Sequence, residues 1–183
     1  MTRRARLIAS AIVLAEIVFF CGTATAQKSH AREWCENADG ISIDLRISGC
    51  TTWIRSGQLS GHDLASVFFN RGYAYLAKGQ QDLAIKDFDQ VIGIDPTKAA
   101  AISGRGQSHA MAGQDDIALE DFSRAIKLDP NNVRAYVGRG TSYSLTDHFD
   151  LALNDFDRAI KLNPAIATFI KEVRDLTIAD LAL

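Results

Sequence analysis

At 183 residues the chain suits one domain with a continuous but modest core, and 47% hydrophobic with 23% charged residues is ordinary globular composition, which excludes an intrinsically disordered chain. A formal net charge of −2 and a pI near 6.1 argue against nucleic-acid binding, which needs a concentrated basic face to release counterions.

The first 26 residues differ from the rest. Arg3, Arg4 and Arg6 form a basic start, Leu7 to Phe20 is mostly apolar, and Ala24-Thr25-Ala26 offers small residues before Gln27. This pattern predicts a secretory signal peptide over 1–26. Glu16 within the apolar run leaves an uncleaved membrane anchor as the alternative, while bulky Phe19 and Phe20 argue against lipidation at Cys21. With Cys21 removed, Cys35 and Cys50 remain as an even pair in a chain entering an oxidising compartment, which predicts a disulfide. Closing a loop of about 15 residues would contribute roughly 3 kcal/mol in the chain-entropy account. Two separately buried thiols are the alternative. A metal site is not expected, because two cysteines without nearby histidines cannot fill a tetrahedral shell.

Residues 27–61 form a degenerate opening unit. Its first part is polar, with a short helix expected from about Arg32 to Asn37. The segment from Asp44 matches the later segment from Asp82: Leu45 with Leu83, Ile47 with Ile85, Ile54 with Ile92, and Cys50 where Phe88 stands. It therefore reads as a second helix, to which a Cys35–Cys50 bridge would staple the short first one. Trp34 and Trp53 supply apolar area that the short helices lack.

Leu59-Ser60-Gly61-His62 then breaks the pattern before a stretch that occurs three times: RGYAYLAKGQQDLAIKDFDQVIGIDP, RGQSHAMAGQDDIALEDFSRAIKLDP and RGTSYSLTDHFDLALNDFDRAIKLNP. The closing prolines Pro96, Pro130 and Pro164 recur every 34 residues. Such a period marks stacked units, each too small to bury its own apolar face. Each unit reads as two helices and a turn, the first helix of the first unit running from about Leu64 to Ala77. Gly79 and Gly113 sit where that helix must end at positive φ, and Asp82, Asp116 and Asp150 where a second-helix N-cap is wanted. Proline stops the second helix.

Arg71, Arg105 and Arg139 occur together with Asp87, Asp121 and Asp155, one of each per unit. This pairing predicts a ladder of charge-assisted hydrogen bonds at the rim of the core, with an anion-binding row as the alternative. Gly72, Gly106 and Gly140, next to those arginines, let the two helices of a unit approach closely against the opposing Ala and Phe.

The period, the glycine of the first helix, the Ala-x-x-x-Phe of the second (Ala84/Phe88, Ala118/Phe122, Ala152/Phe156) and the terminal proline resemble the tetratricopeptide repeat, with units at 65–98, 99–132 and 133–166. The resemblance implies an all-α fold, a right-handed α-solenoid of antiparallel helix pairs whose concave face binds proteins or peptides. The Asn-Arg-Gly and Asp-Phe pattern of the repeats resembles bacterial members of the family, which implies that the export predicted from residues 1–26 leads to the periplasm, with another secretory route as the alternative. The columns that face the groove in this family carry Ser66, Phe69, Tyr73 and Leu76, then Ala100, Ser103, Gln107, Ala110 and Met111, then Arg134, Val137, Thr141, Ser144 and Leu145. Some members clamp a carboxylate with Lys, Asn and Arg there, but Phe69, Tyr73, Gly104 and Gly138 occupy clamp columns here and leave Arg134 alone. After Pro164 the Arg-Gly columns hold Val173 and Arg174, so 167–183 reads as a C-terminal capping helix exposing Lys171, Glu172, Arg174 and Asp175.

His30, His62, His109 and His148 stand in no catalytic or metal-binding motif, and no phosphate loop appears, so neither an enzyme nor a cofactor is expected. His109 reads as a near-core substitute for the tyrosines Tyr75 and Tyr143. The expected function is a non-enzymatic adaptor or scaffold of the cell envelope, with a protein or peptide partner held by Phe69, Tyr73, Leu76, Gln107, Met111, Arg134 and Thr141. The alternative is a chaperone-like holder of exported polypeptides. No nucleic acid or metal partner is expected, and a membrane only if the signal segment is retained.

Overall fold

The computed structural model describes residues 30–36, 40–168 and 170–171. The predicted signal segment 1–26 and the predicted capping helix from 172 onward lie outside the described residues. Among the described residues all regular structure is helical, and the chain divides into two units, Met1–Leu59 and Ser60–Leu183.

In the first unit α1 covers residues 30–36 and α2 spans Ile43–Arg55. Ser42 caps α2, its hydroxyl accepting from Leu45 N at 3.3 Å, and Asp44 in the first turn complements the positive helix end. The two helices meet closely. A Cβ on Gly49 would lie 2.7 Å from Trp34 Cβ and 2.8 Å from the Ala31 carbonyl oxygen. Ala31, Cys35 and Cys50 are buried around that contact, with the Sγ atoms of Cys35 and Cys50 2.08 Å apart. Trp34 stacks against His30, and Arg32 lies over the Trp53 ring, so both indoles are half-buried on the flanks of this small pair.

The second unit contains three helix pairs: α3 (Gly61–Ala77) with α4 (Gln81–Ile94), α5 (Ala99–Met111) with α6 (Asp115–Leu128), and α7 (Val133–Leu145) with α8 (Phe149–Leu162). A 3₁₀ turn, Pro164–Ile166, follows, and the helical residues after it place Ile170 against Phe156 and Ala152. The start of α3 differs from expectation. Gly61 and His62 are its first residues rather than a break, with Ser60 extended before them.

The turns inside the pairs follow one scheme. Gly79 and Gly113 adopt φ of 72° and 73°, and the next residue, Gln80 or Gln114, donates its amide to the carbonyl of Tyr75 or His109 at 2.9 Å. The third pair holds Asp147 at φ 61°, and His148 donates to Tyr143 at 2.8 Å. Because those residues close the turn, the second helices begin at once, at Gln81, Asp115 and Phe149. Asp82, Asp116 and Asp150 are therefore not N-caps, as their spacing suggested; they sit in the first turn, where their charge complements the helix end. Each second helix stops at an extended residue before proline or at the proline-led turn, as the ring of the next residue requires.

The core is organised by Phe88, Phe122 and Phe156, all essentially inaccessible. Each ring faces the glycine of its own first helix: a Cβ on Gly72 would lie 3.1 Å from Phe88 Cε1, one on Gly106 3.1 Å from Phe122, and one on Gly140 2.7 Å from Phe156. Two of the rings also fill a glycine of the following pair. A Cβ on Gly104 would come within 2.6 Å of Phe88 Cζ, and one on Gly138 within 2.3 Å of Phe122 Cζ. One aromatic thus joins a pair internally and couples it to the next.

Candidate binding groove

The repeated arginines lock the outer rim. Arg71 Nε and Nη2 donate to both Asp87 carboxylate oxygens at 2.7 Å; Arg105 meets Asp121 at 2.9 and 2.7 Å, and Arg139 meets Asp155 at 2.7 and 2.8 Å. These two-point bonds use the planar guanidinium fully. The second and third arginines also reach back one pair: Arg105 Nη1 donates to Asp89 at 2.7 Å and Arg139 Nη1 to the Ser123 hydroxyl at 3.2 Å. Burial lifts the Asp87 carboxyl above its ordinary value, against the pull of Arg71. Burial also works against the Arg71 charge, but the bonds to Asp87 outweigh it and its guanidinium titrates above the usual value. Arg105 is raised chiefly by its bond to Asp121, with burial opposing. With both charges met in every pair, these side chains are engaged within the fold and form no row of unpaired cations.

The first helices α3, α5 and α7 also build a second surface, to which all three contribute. Three adjoining cavities of about 340, 530 and 440 Å³ open there. Phe69, Tyr73 and Arg134 border the first, with Ala100 and Ser103; Tyr73, Gln107, Met111 and Arg134 border the second. The third lies between α5 and α7, with Met111, Val137, Thr141 and Leu145 on its walls and Phe122 seen past Gly138. Phe69, Tyr73, Leu76, Gln107, Met111, Arg134 and Thr141 are thus brought to one continuous concavity. Arg134 is common to all three cavities.

Two residues assigned to groove columns are buried. Leu76 is only 6% exposed and belongs to the first core cluster with Ala84 and Phe88, offering an edge to the second cavity. Ser103 is 1% exposed and donates its hydroxyl to the Ala100 carbonyl at 3.1 Å. Both face the inter-helix seam because α3 and α5 also pack on each other, which the pattern within one pair does not reveal. Gly104 and Gly138, placed on clamp columns, are likewise seam residues that admit the phenylalanine rings.

The aromatic floor is ordered. Phe69 and Tyr73 meet edge-on at 4.8 Å between ring centroids, Tyr73 meets Phe88 at 5.1 Å, and the Tyr73 hydroxyl donates to the Ala100 carbonyl at 3.2 Å. Arg134 lies over the Tyr73 ring, 4.5 Å from its centroid. Burial raises the Tyr73 phenol above its ordinary range, and the Arg134 charge opposes it. Asn132, not foreseen as a lining residue, caps α7 by accepting from Ala135 N at 3.1 Å and borders the first cavity beside Arg134. Its cap position was legible in Asn-Asn before an apolar helix, but its place at the groove depends on how α5 and α7 stack.

The histidines do not converge. His30 pairs with Glu33, His109 is half-buried like Tyr75 and Tyr143 in the same column and approaches Gln114 at 2.6 Å, and His148 approaches Thr146. Among the described residues no group of three His, Cys, Asp or Glu is placed to hold a metal, and no helix is long and apolar enough to cross a membrane.

Stacked helix pairs with a concave face over their first helices define the class of α-solenoid interaction modules. Tetratricopeptide-repeat family models match residues 65–98, 99–132 and 133–166, and the chain belongs to that family. No curated protein matches the chain in sequence. Among solved structures it resembles the TPR2B domain of yeast Sti1 in a pHsp70 complex, with 26% identity and a TM-score of 0.61, covering 63% of this chain and 97% of that one. It also resembles the first TPR domain of Spaghetti (RPAP3) bound to the HSP90 peptide SRMEEVD, at 22% identity and a TM-score of 0.61, covering 65% and 94%. MamA, at 20% identity and a TM-score of 0.61, is matched over 86% of this chain and 87% of its own. The repeats therefore form the right-handed helical-pair solenoid of protein–protein interaction modules.

Proposed function

We propose that this chain is an exported, non-enzymatic adaptor of the cell envelope that holds a segment of a protein partner against α3, α5 and α7. The observation that carries the reading is the continuous, largely apolar concavity shared by those three helices, with exposed Met111 and Leu145 beside the Phe69–Tyr73 floor. Aromatic and Met side chains dominate interface energies and adapt to shape. The RPAP3 domain, solved with an HSP90 peptide, and the Sti1 domain, solved in a pHsp70 complex, share this fold.

A photo-crosslinking residue at Met111 or Thr141 should capture one stoichiometric partner in intact cells, while the same residue at exposed Glu120 on α6 should not. Equal capture from both faces, or none from the groove, would overturn the proposal. A broad smear of many polypeptides from the groove alone would favour a chaperone-like holder. Export and oxidation are tested together by the mass of the mature protein: a start at Gln27 and the loss of two hydrogens at Cys35 and Cys50 are expected. A chain retaining residues 1–26 would place it at the membrane instead.

A further inference from the structure

Five residues of the chain carry sulfur: Met1, Cys21, Cys35, Cys50 and Met111. The first two fall in the predicted signal segment. Cys35 and Cys50 are bonded to each other and only 1% and 0% exposed, so an oxidant in solution finds no free thiol there. Met111 is different. It closes α5 and is 49% exposed, which presents its thioether to solvent. It also stands in the groove, on the walls of both the 530 and the 440 Å³ cavities. Among the described residues, Gln107 on the same helix and Arg134 on α7 share that double position with it. Both carry N–H donors, but a thioether is a weak acceptor. The rest of the wall between α5 and α7 is largely apolar, with Ala110, Val137 and Leu145.

We propose that Met111 is a modification site, at which a peroxide oxidant turns the apolar wall of the groove polar and releases the bound partner. The thioether sulfur gives two electrons to hydrogen peroxide: the O–O bond breaks, one oxygen becomes the sulfoxide and the other leaves as water. A thiol-dependent reductase reverses the step, the oxygen leaving as water while two thiols join as a disulfide. A partner side chain that packs on the thioether loses an apolar contact when the sulfur becomes polar. The sulfoxide oxygen is also a strong acceptor, which gives the donors of Gln107 and Arg134 a partner across α5 and α7 in place of the bound segment. Met111 sits at a helix end outside the buried core, so the step leaves Phe88, Phe122 and Phe156 in their seats. The inference rests on the groove-binding reading above and adds its regulation.

The test uses the full chain with the photo-crosslinking residue at Thr141 in intact cells, beside the same chain carrying Met111→Leu. A brief pulse of hydrogen peroxide should add one oxygen at residue 111 of the parent, read by peptide mass. Capture at Thr141 should then fall roughly tenfold, as expected when a polar group must be carried into a desolvated contact. Capture by Met111→Leu, at whatever level it starts, should not move with the pulse, which separates oxidation of this residue from oxidation of the partner. The thermal midpoint of the purified chain should shift little on oxidation, so that lost capture is not lost fold. Four results would overturn this inference while leaving groove binding intact: a Met111 that peroxide does not oxidise, full capture by a parent shown to be oxidised, an equal loss in Met111→Leu, or a collapse of the thermal midpoint. No capture at Thr141 before the pulse would overturn both.

Discussion

In α1–α2 the close-approach glycine is on the second helix, Gly49, and what lies opposite is backbone and the Cβ of Trp34. In α3–α4 and its two successors it is on the first helix, and what lies opposite is a phenylalanine ring. Where the repeats bury Phe88, Phe122 and Phe156, the opening pair buries the Cys35 and Cys50 sulfurs. The difference follows from size. Ala31 and Trp34 of α1 bring main chain and Cβ up to Gly49 and leave no space for a large aromatic there, so backbone packs on backbone and a small cross-link takes the ring's position. A helix of 13 to 17 residues can cover the ring, and the ring then reaches on to the following pair. The covalent device acts within one pair; the aromatic one acts across two.

The sharpest way to break that contrast is Phe122→Ala. It removes a ring seated between Gly106 and Gly138, and about 3–5 kcal/mol of stability should be lost in urea or thermal unfolding. Protection against hydrogen exchange should fall in α5, α6 and α7 together. Cys50→Ala should cost about 3 kcal/mol for a link between residues 15 apart in sequence, but the loss should be confined to α1 and α2. Loss of protection throughout α5–α8 in this variant would show that the cross-link acts beyond its own pair. Gly138→Ala should cost about 1–3 kcal/mol, because its Cβ would sit 2.3 Å from Phe122 Cζ and the same ring already packs closely against Gly106. The smallest effect should come from Asp147→Gly, which relieves a left-handed residue at φ 61° and should stabilise the third turn by up to about 1 kcal/mol. A neutral or negative result there would mean that local polar contacts already offset the strain.

Much of the fold was legible because each helix pair repeats the same local problem. The 34-residue period, Gly72/106/140 opposite Phe88/122/156, and Gly79 and Gly113 at positive φ are consequences of single-pair geometry, and single-pair geometry is written in contiguous residues. The Arg–Asp columns lie 16 residues apart and pair as their co-occurrence implies. What depends on stacking was harder to read. Gly104 and Gly138 look like groove positions until the preceding ring is placed against them, and Leu76 and Ser103 turn inward at the same seam. Arg105 binds Asp89 of the preceding pair as well as Asp121, a link that no within-pair pattern signals. The turn chemistry misled in a smaller way: with Gln80, Gln114 and His148 closing the turns through backbone bonds, the aspartates that follow were free to serve the helix ends by charge rather than by capping.

Because Phe88 and Phe122 lean forward into the glycine of the following pair, the array has a head and a tail that are not interchangeable. Deleting a leading pair takes away a tenant but leaves the remaining rings housed, whereas deleting a trailing pair evicts one into water; at the tail, Ile170 stands in for the missing neighbour by covering Phe156. Shortened versions of this protein should therefore tolerate loss from the front far better than loss from the back, and any lengthening by duplication should be spliced in ahead of Ile170.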